Sequence, residues 1–322
     1  MIKKCAGCGV ILQYSNKDDL GYIPEKKFND ASYCMRCFKM THYGITSENS
    51  QPYQNDDLIN KINEKNIYTI FLIDFLNITD EIIELFKQIA ASKTLVINKC
   101  EMLPKFIKKH NLVKYIKEEY KIEENIILKG KLASRDYELI YDYLIKNNIK
   151  EFVLVGLSNV GKSTLINDLI KYTKSDNLKL TVNNKENTTL DFIELNLGTF
   201  KIFDSPGFII SNLQIEKSKK IKSYIFQMKK NEILNLTNDL FLKTENNVNI
   251  NYFTNYLYEK KIKKNYKLNN NLETKITIPK NSDLIINGLG FIVFNEKTTI
   301  LTNIDERYLR VRKSLFRRWI YD

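Results

Sequence analysis

The sequence predicts an α/β core, a mostly parallel sheet with helices on both faces, set between a small cysteine-bearing N-terminal module and a C-terminal α+β module. Three observations predict it. From about residue 58 to 211, short β-branched apolar runs alternate with segments of helical periodicity, the pattern of strands covered on both faces. Two C-x2-C pairs lie within the first 37 residues, in a stretch poor in long apolar runs. Beyond Pro206-Gly207 the chain turns to short strand-like runs, basic stretches and an arginine-rich end. The expected organisation is residues 1–50, 51–211 and 212–322, with QPYQNDD at 51–57 as a linker.

Within the core the expected strands are IYTIFLIDF (67–75), TLVINK (94–99), NIIL (125–128), EFVLVG (151–156), DFIELNL (191–197) and FKIFDS (200–205). The expected helices are 80–91, 105–119, 134–147 and 162–172. A chain of 322 residues has room for two or three domains. Its 43% hydrophobic and 27% charged residues exclude wholesale disorder. No run reaches the ~18 apolar residues of a membrane span, and MIKKCAGCGV lacks the apolar stretch of a secretory signal. A cytoplasmic protein with no membrane role is the expectation. The net charge of +12 raises the question of a polyanionic partner. Lysine and asparagine are common along the whole chain, so part of that charge is compositional bias. Arginine is different: five of its seven positions are Arg307, Arg310, Arg312, Arg317 and Arg318.

The two cysteine pairs, Cys5/Cys8 and Cys34/Cys37, are separated by 25 residues. Each pair fits a tight turn whose thiolates converge on one ion, and four sulfurs at tetrahedral geometry suit Zn2+. Four cysteine ligands leave no open position, so the zinc would be structural and would supply folding free energy to a segment too small for a core. Free thiols or a redox pair are the bland alternative. Cys100 lies far off in sequence.

Gly156-Leu-Ser-Asn-Val-Gly161-Lys162-Ser163-Thr164 matches G-x-x-x-x-G-K-[ST] between an expected strand and an expected helix. Such a loop turns the backbone N–H groups of Ser158, Asn159, Val160, Gly161, Lys162, Ser163 and Thr164 toward phosphate oxygens at a helix N-terminus. Lys162 would neutralise β- and γ-phosphates and the Ser163 hydroxyl would ligate Mg2+. Asp204-Ser-Pro-Gly207 follows the last expected strand of the core and reads as D-x-x-G, with Asp204 holding Mg2+ through water and the Gly207 N–H sensing the γ-phosphate. Between the two, Thr188 and Thr189 sit in a polar loop, and Thr189 is preferred as the residue completing the Mg2+ shell.

Asn98-Lys99-Cys100-Glu101 follows the strand TLVINK and resembles N-K-x-D, in which the acid accepts the N1–H and N2–H of guanine. The acid here is glutamate, and Lys129-Gly130 stands where a Ser-Ala pair is usual. On the sequence, aspartate at 101 would bind guanine more tightly. The order is also unusual, since Asn98 precedes Gly156 by 58 residues, as a circular permutation would produce.

The opening CAGCGVILQ with CMRCFKMTHY, then NKCEMLPK, VGLSNVGKSTLIN, NTTLDFIEL and DSPGFI, resemble the YqeH family of circularly permuted GTPases, which act in small ribosomal subunit assembly. The resemblance implies a zinc finger, a P-loop GTPase core using GTP/GDP and Mg2+, and a C-terminal RNA-binding domain. It implies that Phe208 stands where many GTPases carry a catalytic glutamine. It also implies that Asn159 matches a phosphate-loop asparagine associated with bound K+, so that Lys162, Thr189 and Asn159 would carry a slow hydrolysis. The expected partner is small-subunit ribosomal RNA or a pre-ribosomal particle, met by a monomer through RYLRVRKSLFRRWIYD and the lysines at 217, 219, 220 and 222. Two other readings stay open: a zinc-finger RNA-binding protein holding its nucleotide without turnover, and a purine NTPase with relaxed base selectivity.

Overall fold

The computed structural model describes residues 3, 11–15, 21–35, 55–102, 109–130, 136–157, 160–173, 182–183, 192–208, 210–211, 213, 215–258, 262–265 and 274–315. The chain forms two compact units, one of Met1–Asp74, Glu84–Glu101 and Glu124–Ile209, the other of Phe75–Ile83, Met102–Glu123 and Ile210–Asp322. It therefore passes from one unit to the other after residues 74, 83, 101, 123 and 209.

The first unit is built on seven strands in the order β3-β2-β1-β4-β7-β6-β5. Strands β1 (Thr69–Asp74), β2 (Lys93–Asn98), β3 (Asn125–Leu128), β4 (Glu151–Gly156) and β7 (Lys201–Asp204) run parallel, β6 (Ile193–Asn196) pairs antiparallel with β7, and β5 (Val182–Asn183) pairs antiparallel with β6. Every residue of β1, TIFLID, is buried, as a central strand with both faces covered requires. Strands β2 and β3 lie on one side of β1, and β4 leads to β7 on the other. The winding thus reverses between β1 and β4, where such sheets open a crevice at their carboxyl ends.

The helices are α1 (Asn55–Lys65), α2 (Asp80–Lys87), α3 (Lys109–Tyr120), α4 (Asp136–Lys146) and α5 (Lys162–Tyr172). Helix α1 differs from the linker expectation. Residues 55–57 are its first turn, with Asp56 and Asp57 at the positive end of the helix dipole, and Leu58, Ile59 and Ile62 are buried on one stripe. Helix α2 ends four residues earlier than expected, because the Lys93 ammonium donates to the carbonyls of Lys87 (3.1 Å) and Ile89 (2.6 Å) and satisfies that end.

Among the described residues the second unit carries ten strands: β8 (Lys217–Met228), β9 (Ile233–Asn235), β10 (Phe241–Thr244), β11 (Val248–Tyr256), β12 (Lys263–Asn265), β13 (Thr274–Ile278), β14 (Ser282–Ile286), β15 (Gly290–Phe294), β16 (Thr298–Thr302) and β17 (Leu309–Lys313). They form two antiparallel sheets, β12-β9-β10-β16-β13 and β17-β14-β15-β11-β8. Both feed a core that includes Leu234, Leu242, Ile250, Tyr252, Leu284, Ile292, Phe294 and Ile300. The expected α+β character of residues 212–322 is corrected here. Among the described residues the regular elements of that segment are strands apart from the 3-10 turn Glu306–Tyr308, and the unit's α-helical content comes from earlier in the chain, chiefly α3. Period-2 alternation such as VNINYFTNY, broken by tight turns, sets that outcome.

Candidate functional site

Strand β4 delivers the chain to the loop 157–161, of which Leu157, Val160 and Gly161 are described, and α5 leaves from Lys162. Gly161 is the N-cap, at φ +107°, a conformation that side-chain-bearing residues rarely adopt. A Cβ there would also stand 2.5 Å from Asn98 Nδ2. Gly161 has no side chain with which to cap α5, and an anion fits such a helix end. The Lys162 ammonium donates to the carbonyls of Gly156 and Leu157, each at 3.2 Å. Burial pushes it below the usual lysine range, and the negative charge of Asp204 opposes that shift. Ser163 is half-buried and Thr164 exposed.

Strand β7 ends at the buried Asp204, and Ser205, Pro206 and Gly207 are buried with it. The chain then runs beside the phosphate-type loop, with Phe208 N donating to Gly156 O at 3.0 Å. The Phe208 ring is fully buried and stacks on Phe71 at 5.5 Å between centroids. The position after Gly207 is thus a core residue.

The third loop follows β2. Asn98 Nδ2 donates to Val160 O at 2.8 Å, a buried bond between positions 62 apart in sequence. Lys99 takes φ +63° and its ammonium donates to Asp74 Oδ2 at 2.9 Å. Cys100 N donates to Lys129 O (2.9 Å), and Lys129 N to Ile97 O (2.8 Å), which extends the β2–β3 pairing to the end of both strands. The buried Lys129 side chain forms an ion pair with Asp168 of α5 at 3.4 Å. Glu101 lies in the following 3-10 turn, Cys100–Met102. The carboxyl edge therefore gathers Asn98, Lys99, Glu101, Val160, Gly161, Lys162, Asp204 and Gly207 within one unit. Asp74 and Asp168 were not picked out from sequence, and Lys129 was noted only as standing where a Ser-Ala pair is usual. An Asp at the end of an apolar strand is the one signal that could have found the first.

Ser158, Asn159, Thr188 and Thr189 lie outside the described residues, as do Cys5, Cys8 and Cys37. Cys34 is buried in a small cluster with Leu12 and Ile23, flanked by Phe28 and Ala31. Among the described residues, no group of three or more His, Cys, Asp or Glu side chains is placed to hold a metal ion.

The arginine cluster is only partly a surface. Arg312 is fully buried in the second unit. Its Nε donates to Asp283 Oδ2 at 3.0 Å and its Nη1 to Ile78 O at 2.8 Å, with the guanidinium 5.1 Å from the Phe291 ring. Burial pushes the Asp283 carboxyl up and Arg312 opposes it. The Tyr120 phenol, buried on α3, is pushed up to about 12. Arg310 bonds Glu81 at 2.8 Å and Arg307 pairs with Asp305 at 3.2 Å. Arg312 is therefore not a nucleic-acid ligand, since its charge is spent inside the core. Phe316, Arg317, Arg318, Trp319 and Tyr321 lie outside the described residues. Among the described residues, no helix is long and apolar enough to cross a membrane.

A mostly parallel sheet that hands a glycine-lysine loop to a helix, with an aspartate-ended strand beside it, defines a P-loop GTPase domain. Residues 151–277 match the family model described as 50S ribosome-binding GTPase. The chain is 30% identical over 224 residues to the uncharacterized protein YqeH of Bacillus subtilis, a match covering 66% of this chain and 60% of that protein. It is 32% identical over 106 residues to the probable GTP-binding protein EngB of Mycoplasma mycoides, covering 32% of this chain and 53% of that one. It is 27% identical over 219 residues to GTPase Der of Ureaplasma parvum, covering 63% and 47%. Each match spans less than two thirds of the relative's own length. The chain is thus similar to YqeH over much of its length, and its residues 151–277 match a GTPase family model.

Proposed function

We propose that the chain binds GTP at the carboxyl edge of the first sheet, hydrolyses it slowly, and serves as a switch in small ribosomal subunit assembly by contacting ribosomal RNA. One observation carries this reading: the Asn98–Val160 bond at 2.8 Å, which pins a base-reading loop to a phosphate-binding one. The N–H groups of 158–164 would hold the phosphates, with Lys162 trading its two carbonyl partners for phosphate oxygens. Ser163, Thr189 and Asp204 offer the hydroxyl and carboxylate oxygens that suit Mg2+, which when bound supplies charge neutralisation at the phosphates. Gly207 would sense the γ-phosphate, and Asn98, Lys99 and Glu101 would read the base. Asn159 would hold K+. Core burial of Phe208 leaves water positioning to other groups, in keeping with slow turnover.

The same reading takes the chain as a circular permutation, since the base loop precedes the phosphate loop in sequence yet shares its sheet. It takes residues 1–50 as a zinc finger closed by Cys5, Cys8, Cys34 and Cys37, 51–211 as the GTPase domain and 212–322 as the RNA-binding domain, working as a cytoplasmic monomer. The matched family model names the 50S particle. The small-subunit assignment rests on the YqeH resemblance instead, and cosedimentation with isolated 30S and 50S particles separates the two.

Single-turnover hydrolysis of labelled GTP with K+ and Mg2+, with and without small-subunit ribosomal RNA, tests the enzyme. Hydrolysis stimulated by the RNA is expected. The burial of Phe208 favours one second reading, a nucleotide held without turnover. Absence of hydrolysis in every arm would establish that reading and overturn the first.

A further inference from the structure

We propose that Gly130 is a positioning residue for base selectivity: it lacks a Cβ so that the loop carrying Glu101 can seat closely enough for the longer acid to read the base. The inference rests on the reading of this edge as a guanine site. In sequence, Glu101 and Gly130 look like two independent departures from the usual pattern. In the fold they touch. The bonds Cys100 N–Lys129 O and Lys129 N–Ile97 O zip the two loops together up to this point. Gly130 is buried, and a Cβ built on it would lie 2.6 Å from Glu101 N, 3.2 Å from Cys100 C and 3.2 Å from Glu101 Oε2.

The first of these neighbours is backbone, so no rotamer change relieves it. Gly130 is not among the glycines with positive φ, so the demand for glycine here is one of space and not of backbone conformation. The base loop therefore sits deeper against the end of β3 than an alanine would permit. An acid one methylene longer restores the reach that this seating removes, since a C–C bond is about 1.5 Å. Aspartate on the same backbone would fall short by about that length, enough to turn a hydrogen bond into no bond. This reverses the expectation from sequence that aspartate would bind guanine more tightly.

The test is a double-mutant cycle on the full chain, reading GDP and ADP affinities by competition against a fluorescent nucleotide. Glu101→Asp and Gly130→Ala are each expected to cut the preference for GDP over ADP by about tenfold or more, the worth of one charge-assisted bond, with ADP affinity unmoved. The double variant is expected to recover to within about threefold of the parent, because a pushed-out loop and a shorter acid compensate. A general folding defect would lower both affinities and leave their ratio alone. Tighter GDP binding by Glu101→Asp would overturn the proposal, as would an alanine penalty equal in both backgrounds. Should Gly130→Ala fail to fold, Glu101→Asp alone decides. Glu101→Gln keeps the length and the seat but removes the charge, and is expected to lose the GDP preference. If it keeps that preference, or if the parent has none, the base-site reading itself falls and takes this inference with it.

Discussion

Asn98→Ala tests whether the two loops form one pocket. The amide donates 2.8 Å to the carbonyl of Val160, whose residue is 1% exposed, and Asn98 itself is 8% exposed. Truncation leaves that carbonyl buried without its partner, a penalty of about 1–3 kcal/mol. Each kcal/mol lowers Tm by about 2–4 °C in a domain of 150–250 residues. The free loops would also lose their mutual alignment, which the nucleotide must then restore on binding. Up to the same free energy moves into affinity, about 5- to 150-fold for GDP. Pyrophosphate, which needs the phosphate loop alone, should bind as before. Thermal unfolding and competition binding with both ligands make the assay. A fall in Tm with GDP affinity unchanged within about twofold would refute the reasoning, because the pin would then be structural only.

Lys162 has a depressed folded-state pKa, so the folded protein binds fewer protons than the unfolded chain, and stability rises with pH between the folded pKa and the ordinary lysine value. Below that window the charge is a burden, and Lys162→Met should raise the Tm of the nucleotide-free protein at pH 7 while abolishing GDP binding; a lower Tm or retained micromolar affinity would contradict this. Arg312→Ala strands the buried Asp283 carboxylate and should cost about 3–5 kcal/mol in urea unfolding. Arg310→Ala breaks a half-exposed pair with Glu81 and should cost about 0–1 kcal/mol. Equal losses would show that the Asp283 contact is not special. Elemental analysis should find one zinc per chain, and chelation should open residues 1–50 to protease while GDP binding survives; a zinc-free preparation resistant to protease would remove the metal from the account.

Much of the core was legible because its strands are continuous apolar runs. TIFLID, KTLVIN and EFVLVG occupy β1, β2 and β4 within two residues of the expected bounds. Helix α1 was missed because NDDLINKINEK offers only three apolar anchors among polar residues typical of linkers. Arg312 misled for a different reason. Period and composition cannot show that Arg312 meets a carboxylate 29 positions earlier, so a buried ion pair looked like a basic surface. At the candidate site the motifs located Asn98 and Lys162, but their braces, Asp74 and the Lys129–Asp168 pair, are long-range partners that no local pattern announces. The role of Gly130 depends on a distance and was invisible until Glu101 had a position.

The chain quits the first unit just after Asp74, just after Glu101 and just after Ile209, each time within a few residues of a strand's carboxyl end. The edge that gathers the candidate site residues is therefore also where the main chain leaves the first unit.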